Sequence, residues 1–354
     1  MLHCRCSKHS ISQLSLQSAI FYHIVVCYGI YLYYTNIIKC LGEIFLITRK
    51  LEKTELGRTG LIISRFSAGG HFTNGPTGHE DIERRVKELN YLLDLGVNYF
   101  DVQWDLEEIA TAKVMNSRKD EFIVAWPLHG VTALGGDLTK EYIIEYCKEH
   151  QKRYQINHVN ILMWIALELH DDTEQKVMDV VRSAFKILKA EGFCDFLGFS
   201  CHYSPDMALR AITEFDDFDV MMIPYSPLHP AADKELLKTA EEKGVGVVGM
   251  KPFGGGGGFI NSVWSGEVKH SETDQFYQSA KPYQASLRWV LQNKNIDCTV
   301  PGAHSIQEID ELFNAVQEEY SQKDEQIIIA LKKGMQESNA DYQLKNIGKP
   351  LSWD

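Results

Sequence analysis

The chain has 354 residues, a formal net charge of −12 and a pI near 5.6. That length holds one large α/β barrel or two ordinary domains, and the acidic balance excludes the basic face that a nucleic-acid partner needs. Eight cysteines, at 4, 6, 27, 40, 147, 194, 201 and 298, form no C-x2-C pair; they give no zinc site and suit a reducing, cytoplasmic compartment.

Residues 1–50 differ from the rest. From Ser10 to Ile38 there is no Asp, Glu, Lys or Arg, and Arg5 and Lys8 precede that stretch. Residues 19–38 are apolar, tyrosine-rich and about long enough to span a bilayer. Three readings compete: a signal anchor with Arg5 and Lys8 inside, a cleaved signal lacking a clean A-x-A site, or upstream translation that the native protein lacks. Only the anchor predicts membrane association.

From Leu51 onward strands and helices alternate. Gly57-Arg58-Thr59-Gly60 between two short apolar runs predicts a hairpin. Phe66–Ala68 reads as a first short strand. His79–Leu95 has helical periodicity, with Ile82, Val86, Leu89, Leu92 and Leu93 on one face. Strands are then expected at Val97–Asp101, Glu121–Trp126, Val159–Ile165, Phe196–Ser200, Val220–Pro224, Val245–Met250 and Ile296–Val300. Helices are expected at Leu106–Val114, Thr139–Gln155, Thr173–Ala190, Asp206–Glu214, Ala231–Lys243, Tyr277–Gln292 and Ser305–Val316. Apolar, non-alternating strands suit a parallel sheet covered on both faces. About eight βα units predict a closed (β/α)8 TIM barrel of class α/β over 51–320, with an N-terminal hairpin and a C-terminal helical tail at 321–354.

Function in such barrels sits at the carboxyl ends of the strands. The candidates there are Asp101; His129; Glu168 and His170; Ser200 and His202; Tyr225; Lys251; and the run Gly302-Ala303-His304-Ser305. Two loops favour phosphate. Lys251-Pro252-Phe253 leads into five glycines, Gly254 to Gly258, whose backbone N–H groups are open to close approach. Gly302–Ser305 enters a helix N-terminus, where the dipole favours an anion. Ser305 with Glu308 also reads as a capping box, which by itself only caps.

These residues resemble the aldo-keto reductase superfamily over about 51–317. Thr54–Leu61 looks like its first hairpin, Gly96–Asp101 like its strand-2 motif, and Gly198–His202 like the strand-5 motif of a bacterial and archaeal branch. Gly246–Gly254 and Val300–Asn314 resemble its cofactor-binding strands. The resemblance implies an oxidoreductase that binds NADP or NAD without a Rossmann domain and acts on a small carbonyl or alcohol. It implies cofactor contacts at Ser200, Tyr225, Lys251, Phe253, Gly254, Gly255, Gly302, His304, Ser305 and Glu308. The family's Asp, Tyr, Lys and His tetrad carries over only at Asp101. Leu106, Pro127 and Ile165 stand where its Tyr, Lys and His belong, and Met222 replaces a Gln. His129, His202 and Lys251 are the candidate substitute acids, and Asp101, His129 and Lys251 the candidate catalytic set. Two alternatives stay open: a pseudo-enzyme that binds a nucleotide or partner without turnover, and a barrel with lyase or isomerase chemistry. No C-x2-C-x2-C run exists for an iron–sulfur segment.

Overall fold

The computed structural model describes residues 51–69, 79–103, 105–169, 173–202, 204–254 and 281–337. The readings of residues 1–50, His170 and Gly255–Gly258 lie outside them.

A two-stranded antiparallel hairpin, β1 (Lys53–Glu55) and β2 (Ile62–Ser64), opens the described chain. Seven parallel strands follow in consecutive order: β3 (Tyr99–Asp101), β4 (Ile123–Leu128), β5 (Val159–Trp164), β6 (Cys194–Ser200), β7 (Val220–Pro224), β8 (Gly246–Met250) and β9 (Cys298–Val300). The expected first strand is present only as two parallel bridges, Phe66 to Thr299 and Gly69 to Gly302. Those bridges and the Ser67 N–H bond to the Thr299 carbonyl, 3.0 Å, add the eighth position beside β9. On the other side Ser67 Oγ donates to the Tyr99 carbonyl at 2.6 Å. The result is a nearly closed (β/α)8 barrel.

The covering helices are α1 (His79–Asp94), α2 (Asp105–Arg118), the single turn α3 (Val131–Leu134), α4 (Lys140–Tyr154), α5 (Glu174–Ala190), α6 (Pro205–Glu214), α7 (Leu236–Lys243), α8 (Pro282–Gln292), α9 (Ile306–Ala315) and α10 (Gln322–Glu337). Local chemistry sets their starts. Thr139 Oγ1 accepts the Tyr142 N–H at 3.2 Å, and Ser204 Oγ accepts the Met207 N–H at 3.1 Å with Pro205 in the first turn. The expected helix Ala231–Lys243 is split: a 3-10 turn at Ala231–Asp233 precedes α7. The tail helix α10 buries Ile327, Ile328 and Leu331, and Asp324 clamps buried Arg288 of α8 at 2.6 and 3.1 Å.

Two apolar layers form. The barrel lumen holds Leu56, Ile63, Tyr99, Ala125, Ile161, Met163, Val220, Met222, Val248, Met250, Cys298 and Val300. The larger layer, between strands and helices, holds most of the remaining buried residues. Each fully buried aliphatic or Met side chain contributes about 1.5–3 kcal/mol.

The amino end of the barrel is plugged by the hairpin. Gly57 has φ 48°, and a Cβ there would lie 2.2 Å from the Gly246 nitrogen. Asp297 Oδ2 accepts the N–H groups of Val247 at 2.9 Å and Gly57 at 3.3 Å. Arg58 donates to Asp219 and to the carbonyls of Lys243, Asp216 and Phe218. No helix among the described residues is long and apolar enough to cross a membrane.

Candidate active site

The other end of the barrel, where β3 to β9 finish, gathers the chemistry. Asp101 is the last residue of β3 and lies on the inward face, two residues beyond Tyr99. Its Oδ2 accepts from the Gln103 side-chain amide at 2.5 Å, and its buried Oδ1 has no hydrogen-bond partner. The register pairs Asp101 with Ala125 on β4 and Pro127 with Met163 on β5, so no lysine approaches from the neighbouring strand. Burial pushes the Asp101 carboxyl well above the ordinary carboxylate range; the Gln103 bond pulls it back, and the negative charge of Glu107 adds to the rise. Tyr99 beneath it has an unpartnered hydroxyl, driven upward by burial and then by Asp101.

His129 follows β4. Its Nε2 lies 2.8 Å from the backbone carbonyl of Gln103. A carbonyl only accepts, so Nε2 carries the proton. Asp101, Gln103 and His129 therefore form one hydrogen-bonded chain across the ends of β3 and β4.

A second group forms across β6 to β8. Lys251 follows β8 in the left-handed region, φ 56°, and its Nζ sits 3.0 Å from His202 Nδ1. Burial holds this ammonium below the ordinary lysine value, and no described carboxylate pairs with it. The chain then turns: the Gly254 N–H donates to the Lys251 carbonyl at 2.9 Å, with Gly254 at φ 86°. Ser226, beyond β7, is fully buried, and its hydroxyl has no partner among the described residues. Ser200 is also fully buried. Its Oγ accepts the Ala166 N–H at 2.9 Å, and that bond and Thr132 hold Ala166 at φ 55°. The Ser200 hydroxyl keeps its own proton for another acceptor.

At the end of β9, Gly302 is exposed, and a Cβ there would meet nothing nearer than His304 Nε2 at 3.8 Å. Ser305 caps α9 by accepting the Glu308 N–H at 3.1 Å. The Glu308 carboxylate accepts the His304 N–H at 2.8 Å, one residue before the usual capping-box donor. Arg84 of α1 reaches the His304 carbonyl at 2.8 Å and also pairs with Glu88.

Two residues expected at the cofactor have rings packed in the helix-facing layer. Tyr225 faces outward: its ring lies 5.1 Å from Trp289, and its hydroxyl donates to Asp233 and accepts from Asn293, both at 2.7 Å. Strand alternation accounts for this: Met222 lines the lumen, and the third residue along points the other way. The Phe253 ring meets Tyr283 edge-on at 6.3 Å in the helix-facing layer. Sequence reading placed Ser226 at a strand end and missed Gln103 and Arg84. Gln103 does stand just past a strand end, which was the available signal.

Residues 68–333 match the family model described as the aldo/keto reductase family. The chain is 22% identical over 312 residues to "Probable aldo-keto reductase 1" of Glycine max, covering 78% of this chain and 87% of that protein. It is 25% identical over 299 residues to "L-galactose dehydrogenase" of Arabidopsis thaliana, covering 76% and 89%. Among solved structures, the holo form of aldo-keto reductase AKR11C1 from Bacillus halodurans superposes with a TM-score of 0.61 at 21% identity, covering 80% of this chain and 96% of that one.

Proposed function

The chain belongs to the aldo/keto reductase family, and from that premise we propose that it transfers hydride between a nicotinamide dinucleotide and a small carbonyl compound, with His129 as the proton donor. The observation that carries the cofactor half is Lys251: a half-buried ammonium beside an imidazole, with no described carboxylate against it. Such a charge is costly to bury until an anion meets it. Ser226 adds an unpartnered hydroxyl, and the exposed Gly302 backbone adds open approach to the α9 N-terminus. These donors fit a pyrophosphate.

In this reading Lys251 and the backbone of the turn from Lys251 to Gly254 hold the pyrophosphate. Gly302, His304, Ser305 and Glu308 hold the adenosine end, and the Ser200 hydroxyl donates to the carboxamide. Gly255 belongs to the same loop by sequence. The choice between NADP and NAD rests on Arg84 and His304, set against Glu88 and Glu308. When bound, the reduced nicotinamide supplies the hydride. His129 gives a proton to the carbonyl oxygen, and the Gln103 carbonyl keeps the imidazole in one tautomer. Cys147, Cys194, Cys201 and Cys298 are buried outside any disulfide, which supports a cytoplasmic location.

Pro127 and Ile165, where a Lys and a His belong, favour a second reading: a reductase-derived binder without turnover. One experiment separates the two. The full chain is titrated with NADPH and NADH by fluorescence, then given 4-nitrobenzaldehyde or butanal. Binding followed by cofactor oxidation is expected; binding with no oxidation supports the second reading, and no binding of either cofactor overturns both. Lys251→Ala should weaken the cofactor about tenfold, ~1.4 kcal/mol. An unchanged Kd would remove Lys251 from the pyrophosphate.

A further inference from the structure

Three features of the mouth converge on a residue with no assigned role. Asp101 has lost its usual kind of partner: Pro127 and Ile165 occupy the neighbouring strand ends, and no cation faces its carboxyl among the described residues. The group that bonds it is the Gln103 amide, at 2.5 Å. The backbone carbonyl of the same residue holds His129 Nε2 at 2.8 Å.

Gln103 is thus anchored through its side chain on one side and anchors an imidazole through its main chain on the other. It lies outside any regular element, two residues beyond β3. A loop carbonyl moves with its segment unless something pins it, and here the pin is a buried carboxyl at a strand end. The Asp101 and Tyr99 side chains share the inward face of β3, so that carboxyl is fixed by the barrel wall.

We propose that Gln103 is a positioning residue: it transmits the fixed position of Asp101 to His129 and so sets the imidazole for proton transfer. The inference rests on the reductase reading above. The step balances simply. Hydride adds to the carbonyl carbon, the C=O π pair moves onto oxygen, and that oxygen takes one proton from the His129 imidazolium. Nε2–H stays on the Gln103 carbonyl, so the exchanged proton leaves through Nδ1. The neutral imidazole regains a proton from water.

This role has consequences that a merely structural residue would not produce. Gln103→Ala frees the segment without removing the carbonyl, so kcat should fall about tenfold while KM and NADPH affinity stay within twofold. His129→Ala should cost about a hundredfold in kcat. Because Gln103 acts through His129, the double variant should be no slower than His129→Ala alone. Gln103→Glu places a second carboxyl against Asp101. The two bond only while they share a proton, so this variant should keep the parent rate at low pH and lose it as pH rises. Glu107, Tyr99 and Cys298 are the other titratable groups that act on this pair.

The experiment measures NADPH binding and 4-nitrobenzaldehyde reduction by the full chain and these four variants, with melting curves as a folding control. Gln103→Met, of similar length and without a donor, replaces Gln103→Ala if the latter unfolds. Gln103 variants at the parental rate, or a double variant slowed by the product of the two single losses, overturn the positioning role and leave the reductase reading intact. A parent chain that binds NADPH but oxidises none overturns both.

Discussion

The two ends of the barrel are built to different standards. At the amino end every described contact of the hairpin plug is satisfied: Asp297 takes two backbone N–H groups, Arg58 spreads over four acceptors, and Gly57 meets Gly246 backbone to backbone. At the carboxyl end the chain carries strain and unmet polarity. Ala166 and Lys251 sit in the left-handed region, and Asp101 Oδ1 and Ser226 Oγ are buried without partners. Such costs persist where binding or chemistry requires them. One end spends its contacts on stability, and the other holds groups ready for something that arrives.

Three substitutions test that contrast. The largest effect should come from the plug. Gly57→Ala puts a Cβ against the Gly246 backbone at a left-handed φ, and should cost about 3 kcal/mol or more in urea unfolding. Cofactor affinity of the folded fraction should not change; a protein of parental stability would break the comparison. Next is Asp297, whose carboxyl burial pushes up to about 6. A raised acid pKa means the native state prefers the protonated form. The penalty is therefore absent below about pH 4, grows between the unfolded and folded values, and is complete above pH 6. Asp297→Asn keeps an acceptor and removes the charge. It should stabilise by about 3 kcal/mol at pH 7 and by nothing near pH 4; a gain equal at both values would mean the cost is not ionic. The smallest effect belongs to the mouth. Ala166→Gly relieves left-handed strain and should stabilise by about 0.5 kcal/mol after the added chain entropy. A destabilisation there would show that Ser200 and Thr132 hold Ala166 without strain.

Much of the fold was legible because the strands are apolar on both faces and the turns carry strong signals. Val220–Pro224 has the bounds expected of it, and Ser204-Pro205 begins a helix as its cap chemistry requires. The first strand was less so: Phe66–Ala68 reads as a short strand, and it is present only as two bridges beside β9. The site divided differently. Asp101, His129 and Lys251 stand at strand ends where the (β/α)8 pattern puts them. What no spacing reveals is which of them touch. Gln103 acts through one side-chain bond and one main-chain bond, and neither leaves a mark in residue type. Tyr225 reads equally as a stacking ring and a core residue, and only its inside–outside register tells which layer it joins.

The pairing that completes the ring also dictates an order of events in the cell. Phe66 cannot meet Thr299, nor Gly57 meet Asp297, until more than two hundred later residues have been made. At ribosomal rates that is a wait of roughly ten to fifty seconds. Throughout it the first strand lacks its β9 partner and the plug lacks Asp297, and the edges of the growing sheet lie open. Ring closure is therefore a late, long-range event with a high entropic barrier. The half-made barrel, more than the finished one, is the form of this chain most exposed to aggregation.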